Sequence, residues 1–168
     1  MESDRAFHRF KGRAEIELPK QLIYLEDLHV GRRFLSGRYE MDEKRMKEFA
    51  AEFDPQPFHL DEAAGAESVF KGLAASGWHT AAATMRLLVE GELALSAGIV
   101  GVGGEIAWPR PTRAGDTLQV ESEVLEIKPS RSKPQQAMVK IRNTTVNQHG
   151  DVLQVFTASV LVFKRNAG

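Results

Sequence analysis

Apolar residues repeat at two different spacings along the chain, and the change of spacing separates a helical first half from a β-rich last third. From Met46 to Phe53 they recur at helical spacing, and Asp42 stands where an N-cap is needed. From Thr80 to about Leu95 the run is apolar on most sides, which is typical of a helix enclosed by other elements. The pattern predicts a short amphipathic helix and a long buried one, with a further short helix over Leu60–Ala64.

The last third is rich in β-branched residues and predicts long antiparallel strands. Prolines and glycines separate the strands, and the glycines between Gly98 and Gly104 are expected at turns and bulges. A partial alternation from Arg32 to Met41 predicts one earlier strand. The four later strands are expected to pair as a meander and cover Ile99–Trp108, Thr117–Ile127, Ala137–Val146 and Val152–Phe163.

This order of elements predicts an α+β fold in which one antiparallel sheet curls around a long central helix, the hot-dog arrangement. Residues 21–168 are expected to form that single domain. Residues 1–20 mix charges of both signs without an apolar face, so they are interpreted as a tail or arm. The open edges of such a sheet favour pairing with a second copy, and we expect a homodimer or a higher homo-oligomer.

Composition excludes several classes of protein. The 168 residues suffice for one domain with a substantial core, and the absence of cysteine excludes disulfides, thiolate metal sites and cysteine nucleophiles. A net charge of -1 offers no general attraction to nucleic acid. The charged N-terminus lacks the apolar run of a signal peptide, and no segment is long enough to span a bilayer. We therefore expect a cytoplasmic protein without a nucleic-acid or membrane partner.

Candidate chemistry concentrates in two stretches. Asp54 and His59 stand five residues apart on a backbone that Pro55 and Pro57 stiffen, so the two side chains are expected to stay close. The second stretch brings Gly77 to the predicted start of the long helix, where backbone N–H groups lack intrahelical partners. A carboxylate and an imidazole beside such N–H groups predict an acid/base site with a donor for a carbonyl oxygen.

Simpler interpretations exist for these residues. An Asp-Pro pair after a helix is common in turns, and His79, one turn into an apolar helix, is interpreted as a packed or hydrogen-bonded residue and not as a second acid/base group. The glycines after Gly98 run into a strand and so lack the context of a phosphate-binding loop. A metal site using His59 and Asp61 lacks a third ligand at a suitable spacing, and none is predicted.

Three motifs resemble the MaoC-like acyl dehydratases and R-specific enoyl-CoA hydratases. They are Phe53-Asp54-x-Gln56-Pro57-Phe58-His59-x-Asp61, Ala75-Ser76-Gly77-Trp78-His79-Thr80-Ala81, and Trp108-x-Arg110-Pro111-x-Arg113-x-Gly115-Asp116. The likeness covers about Leu25 to Phe163, and its first motif is the specific one. It implies that Asp54 and His59 are the catalytic pair and that Gly77 supplies the amide for the thioester carbonyl.

The resemblance also implies which residues meet the substrate. The predicted substrate-binding residues are Gln56, Pro57, Ser76, Trp78, Arg110 and Arg113. The two arginines could meet the phosphates of coenzyme A, although solvated turns explain them equally well. Ser76 could cap the helix or touch substrate. Many hydratases of this family have asparagine where this chain has Gln56, and the extra methylene bears on substrate positioning.

The expected function is reversible addition of water to a 2-enoyl-CoA, which gives an (R)-3-hydroxyacyl-CoA. Coenzyme A is then part of the substrate, and no separate cofactor is expected. An acyl-CoA thioesterase on the same fold and a non-catalytic acyl-CoA-binding module are the alternatives. Free coenzyme A would reveal the first, and binding without turnover the second.

Overall fold

The computed structural model describes residues 21–166, so the predicted tail over residues 1–20 lies outside the described residues. Within these residues, a single 3-10 turn over Leu25–Asp27 is followed by four α-helices and six β-strands. In chain order they are β1 (Arg33–Leu35), β2 (Tyr39–Glu40), α1 (Glu43–Phe53), α2 (Pro57–Leu60), α3 (Glu62–Glu67), α4 (Gly77–Glu90), β3 (Val100–Ala107), β4 (Thr117–Pro129), β5 (Gln136–Val146) and β6 (Val152–Phe163).

Helix α1 forms as its pattern predicts. The Asp42 carboxylate accepts the N–H of Arg45 at 2.9 Å, which confirms the predicted N-cap. Met46 and Ala50 are fully buried, whereas Phe53 at the end of the helix is largely exposed. The helix ends at Phe53, and the N–H of the next residue, Asp54, still donates to the Ala50 carbonyl. Asp54 is therefore held at the last turn of a helix anchored in the core.

Helix α4 starts three residues earlier than predicted and ends at Glu90, before Gly91. Its inner face, which includes Thr80, Ala83 and Leu87, is buried against the sheet. Its outer face leaves Trp78, Met85 and Val89 exposed. The expectation of a helix enclosed on most sides is wrong for a single chain, because one sheet covers only one side of a helix.

The sheet is antiparallel throughout, with strand order β1-β4-β5-β6-β3, and β2 pairs with β4 beyond β1. Strands β4, β5 and β6 form the expected meander, but β3 pairs with β6 and not with β4. The prediction that all four strands pair as a meander is therefore wrong for the first of them, β3. Residues 108–116 must cross from one edge of the sheet toward the other, and this crossing passes the start of α4.

Two smaller features complete the sheet. The single early strand predicted over Arg32–Met41 is interrupted, because the chain pairs with β4 only in the separate strands β1 and β2. The register between β3 and β6 shifts between Gly101 and Gly103, which confirms a bulge in the glycine-rich segment.

The architecture is the expected single α+β hot-dog domain. None of the helices between residues 21 and 166 combines the length and apolar content that crossing a membrane requires.

Candidate active site

A cavity of about 490 Å³ opens at the N-terminal end of α4. Helices α1 and α2 contribute Asp54 and His59 to its wall, α4 contributes Gly77, and the crossing segment contributes Trp108 to Thr112. The structure therefore brings the two predicted halves of the site into one cavity. Prolines explain part of this geometry, since Pro57 occupies the first turn of α2, where its missing N–H costs no hydrogen bond.

Asp54 and His59 face each other within the cavity. Oδ2 of Asp54 lies 3.3 Å from Nε2 of His59, and both side chains are largely buried. The other His59 nitrogen, Nδ1, is 2.7 Å from the carbonyl oxygen of Ala74. A carbonyl can only accept, so Nδ1 carries a hydrogen and donates to Ala74, which leaves Nε2 facing Asp54.

The Asp54 carboxylate is held by two further donors. Ser76 Oγ donates to Oδ2 and Gln56 Nε2 donates to Oδ1, each at 2.7 Å. Burial by itself would raise the pKa of Asp54, but these two hydrogen bonds and the neighbouring His59 outweigh burial and lower the pKa below its ordinary value. Asp54 is therefore ionised at neutral pH. The Gln56 amide reaches Asp54 despite its extra methylene.

Ser76 joins this carboxylate to the start of α4. Its Oγ accepts the N–H of Trp78 at 3.2 Å, so one hydroxyl serves both as the N-cap of the helix and as a donor to Asp54. The N–H groups of His79 and Thr80 donate to the Ser76 carbonyl. Within residues 21–166 the Gly77 N–H finds no acceptor. This N–H is thus available to a ligand at the positive end of the α4 dipole.

Glycine at position 77 is required by Trp108. A Cβ added to Gly77 would lie 2.8 Å from Cε2 of the Trp108 indole, too close for any side chain. The indole is fixed because its Nε1 donates to Oε1 of the buried Gln154 at 2.9 Å, and Trp78 meets it edge-on with ring centroids 5.3 Å apart. Trp108 therefore forms a fixed wall of the cavity against the helix start.

Several site residues were missed by sequence reasoning. Trp108, Phe58, Phe70, Thr80 and Thr112 all line the cavity. Trp108 stood in the third motif, but its place beside Gly77 depends on the crossing of the chain from β3 to β4. Phe58 packs edge-on against the His59 ring, with centroids 4.6 Å apart. Its position next to a predicted catalytic histidine was the available signal.

The two arginines predicted to bind substrate lie in different surroundings. Arg110 lines the mouth of the cavity and pairs with Asp151 at the surface. Arg113 does not line this cavity; its guanidinium donates to the carbonyl of Leu73 at 2.9 Å and to that of Phe70. Arg113 therefore holds the loop that precedes Ala74.

Two other residues have structural contacts. The Asp61 carboxylate accepts the N–H of Ala64 and caps α3. His79 is buried and stacks on Phe49 with ring centroids 4.7 Å apart. Its packing confirms the structural interpretation of this histidine.

The chain is similar to several known proteins. The family model described as a MaoC-like domain matches residues 28–147. A solved MaoC-like dehydratase of Rhodospirillum rubrum is 57% identical, with a TM-score of 0.84 over 85% of this chain and 98% of that one. An R-hydratase of Pseudomonas aeruginosa, solved without ligand, is 26% identical, with a TM-score of 0.68 over 86% of this chain and 88% of that one. An uncharacterised protein of Bacillus subtilis strain 168, YdeM, is 29% identical over 110 residues, which are 65% of this chain and 78% of the relative.

Proposed function

The chain belongs to the MaoC-like dehydratase family, and on that premise we propose that it reversibly adds water to the double bond of a 2-enoyl-CoA to give an (R)-3-hydroxyacyl-CoA. One observation carries the proposal. Oδ2 of Asp54 lies 3.3 Å from Nε2 of His59 in a cavity that Gly77 also lines, and within residues 21–166 the Gly77 N–H finds no acceptor. These groups are the ones that hydration of an unsaturated thioester requires.

The reaction needs a base for water, a proton for the α carbon and a donor for the developing enolate oxygen. In our proposal a water molecule donates one hydrogen bond to Asp54 and one to His59 Nε2. Its oxygen then attacks the β carbon as Asp54 takes a proton, while His59 keeps the water oriented and assists the transfer. The displaced electron pair moves onto the thioester oxygen. The acid/base pair returns a proton to the α carbon, so that water is added and no proton is lost.

The Gly77 N–H stabilises the enolate oxygen in this scheme. It lies at the start of a helix of 14 residues, whose dipole favours negative charge at that end. In enzymes where a single donor to an oxyanion has been removed, the loss is about 3 kcal/mol of transition-state stabilisation. Ser76 contributes by capping the helix and holding Asp54, so that donor and base keep a fixed relation.

The remaining substrate contacts follow from the shape of the cavity. Arg110 and Trp78 lie at the exposed mouth of the cavity. In our proposal coenzyme A leaves the site there and its phosphates meet Arg110. The proposed steps use only side chains and one backbone N–H, so coenzyme A enters as part of the substrate and no other cofactor is needed. A cytoplasmic location stays a prediction.

We also propose that the protein works as a homodimer. Among residues 21–166, strand β3 pairs with β6 on one side only, and it exposes Val100 and Val102. The outer face of α4 exposes Met85 and Val89 as well. Apolar residues on an open strand edge and on a helix face favour burial by a second copy. Light scattering is expected to give twice the monomer mass, and a stable monomer would contradict the proposal.

The decisive assay for the function is incubation with crotonyl-CoA while absorbance of the conjugated thioester is followed. We expect the absorbance to fall and the product to be the R isomer, which is checked by supplying (R)- and (S)-3-hydroxybutyryl-CoA separately in the reverse direction. A thiol reagent added in parallel measures free coenzyme A. Release of coenzyme A without hydration would identify a thioesterase. Binding of the thioester with neither reaction would identify a non-catalytic module.

A further inference from the structure

The deep end of the cavity is closed by a pair of hydroxyl groups. Thr80 on α4 donates to Thr112 on the crossing segment, with 2.8 Å between their Oγ1 atoms. Both side chains line the cavity, yet they are only 1% and 3% exposed. Gln56 and Trp78 line the same cavity and are exposed, so they mark its mouth. The threonine pair therefore lies at the inner end.

The cavity does not continue along the helix beyond this pair. Its lining from α4 ends at Thr80, one turn after Gly77, and includes no residue of β4, β5 or β6. One turn further on, Thr84 Oγ1 lies 2.8 Å from Thr145 Oγ1 of β5, and both are buried. Beyond the inner end of the cavity, a second buried hydroxyl pair thus joins α4 to the sheet.

The crossing segment holds this closure in place. The Thr112 carbonyl accepts the N–H of Ala75 at 2.9 Å, so the backbone of the segment is tied to the residue before Ser76. On the other side Trp108 is fixed by Gln154. Enlarging the inner end would require breaking a buried hydrogen bond or moving a segment that is anchored at both points.

From this closure we infer that the site accepts only short acyl groups, and that Thr80 and Thr112 set the limit. The inference rests on the proposed function for the position of the substrate. With the thioester oxygen at the Gly77 N–H and the β carbon beside Asp54 and His59, the acyl chain beyond the β carbon meets the threonine pair. An extended hydrocarbon chain would have to displace hydrogen-bonded hydroxyls from a close-packed interior.

The test compares kcat/KM along the series crotonyl-CoA, hexenoyl-CoA, octenoyl-CoA and decenoyl-CoA. For the wild-type protein we expect the value to fall by about tenfold or more between crotonyl-CoA and octenoyl-CoA, the scale on which a few methylenes change discrimination. Thr80→Ala removes a methyl and a hydroxyl from the inner end. In this variant the ratio of kcat/KM for octenoyl-CoA to kcat/KM for crotonyl-CoA is expected to rise by about tenfold. A wild-type value that stays level or rises through decenoyl-CoA would overturn the inference.

Two further variants separate volume from folding effects. Thr84→Ala removes the same atoms one turn along the same helix, from a pair that does not line the cavity, and it is expected to leave the chain-length ratio unchanged. Thr80→Val keeps the volume but loses the hydroxyl, so it is expected to keep the preference for crotonyl-CoA. An equal shift in Thr84→Ala and Thr80→Ala would assign the effect to general loosening and overturn the role of Thr80.

Calorimetric binding of saturated butyryl-CoA and decanoyl-CoA keeps this test independent of turnover. The short ligand is expected to bind more tightly to the wild-type protein, and Thr80→Ala is expected to narrow the difference. Length-dependent binding without hydration of any enoyl-CoA would support the limit and overturn the proposed function. Hydration that does not depend on chain length would support the proposed function and overturn the limit on acyl length.

Discussion

The Ser76 hydroxyl donates to Oδ2 of Asp54 at 2.7 Å, across 22 residues of sequence. The same oxygen accepts the Trp78 N–H, so one side chain fixes the helix start relative to the carboxylate. In the proposed reaction these are the sites of the oxyanion donor and the base. Their separation is therefore set by a direct contact, and changes at either end are expected to affect catalysis together.

Replacement of Asp54 tests the proposed base. Asp54→Asn keeps the size of the side chain but removes the negative charge, so we expect kcat/KM for crotonyl-CoA to fall by about a hundredfold or more. The fold should persist, because Asp54 is at the end of α1 and only its backbone N–H belongs to the helix. Circular dichroism checks the fold. Undiminished hydration by a folded variant would rule Asp54 out as the base.

The donors to Asp54 predict a shift in pH dependence. Because Ser76 and Gln56 lower the pKa of Asp54, the carboxylate stays ionised, and the base stays functional, to a lower pH than an ordinary aspartate allows. Gln56→Leu removes one donor, so the pKa should rise and the acid limb of kcat/KM should move to higher pH. Gln135→Leu, at an exposed position outside the site, is the matched control. An acid limb that moved to lower pH would contradict the argument.

Close packing between Gly77 and Trp108 predicts a coupled pair. Gly77→Ala places a methyl group 2.8 Å from the indole, and overpacking of this kind typically costs about 1–3 kcal/mol in free energy of unfolding. Combining it with Trp108→Leu should recover part of that loss, which urea denaturation of both single variants and the double variant measures. Gly37→Ala, where an added Cβ meets no atom within 4 Å, is the control. Strictly additive effects would contradict the coupling.

Substitutions of the two arginines are expected to affect different kinetic constants. Arg113 holds the Leu73 carbonyl, and the next residue, Ala74, supplies the carbonyl that orients His59. Arg113→Lys loses the planar fork of the guanidinium, so we expect kcat to fall by about tenfold with KM nearly unchanged. Arg110→Lys, at the cavity mouth, should instead raise KM for the coenzyme A thioester and leave kcat nearly unchanged. A raised KM with unchanged kcat in Arg113→Lys would restore this residue as a phosphate contact.

Burial of His79 predicts a pH-dependent stability. Burial first, and then the charge of Arg45, lower the pKa of His79 in the folded protein. In the unfolded chain the histidine pKa is about 6.5, so between that pH and the lower pKa of folded His79 the unfolded chain binds more protons than the folded protein. The stability that neutral, buried His79 contributes is therefore present above about pH 6.5 and is lost as the pH falls toward the folded pKa.

His79→Gln should flatten this dependence. Urea denaturation between about pH 8 and about pH 5 measures it. His149→Gln, at an exposed histidine, should keep the wild-type slope. If the two variants lose stability with pH in the same way, His79 is not the group responsible.

The sequence by itself determined the local features of this protein. The Asp42 cap, the buried face of α1 and the strand segments depend on neighbours a few residues away, and alternation or helical spacing records them directly. The proximity of Asp54 and His59 is also a local feature. They are close because α1 and α2 follow each other with one short connection between them, so local geometry was enough to predict that they face one site.

Tertiary structure decided which distant segments complete the site. Periodicity tells which face of a strand is buried but not which strand lies beside it, so the pairing of β3 with β6 could not be read from the pattern. That pairing forces residues 108–116 across the start of α4 and places Trp108 and Thr112 in the cavity. It also turns Arg113 onto the loop before Ala74. These contacts join residues far apart in sequence, and only the packing of the whole chain selects them.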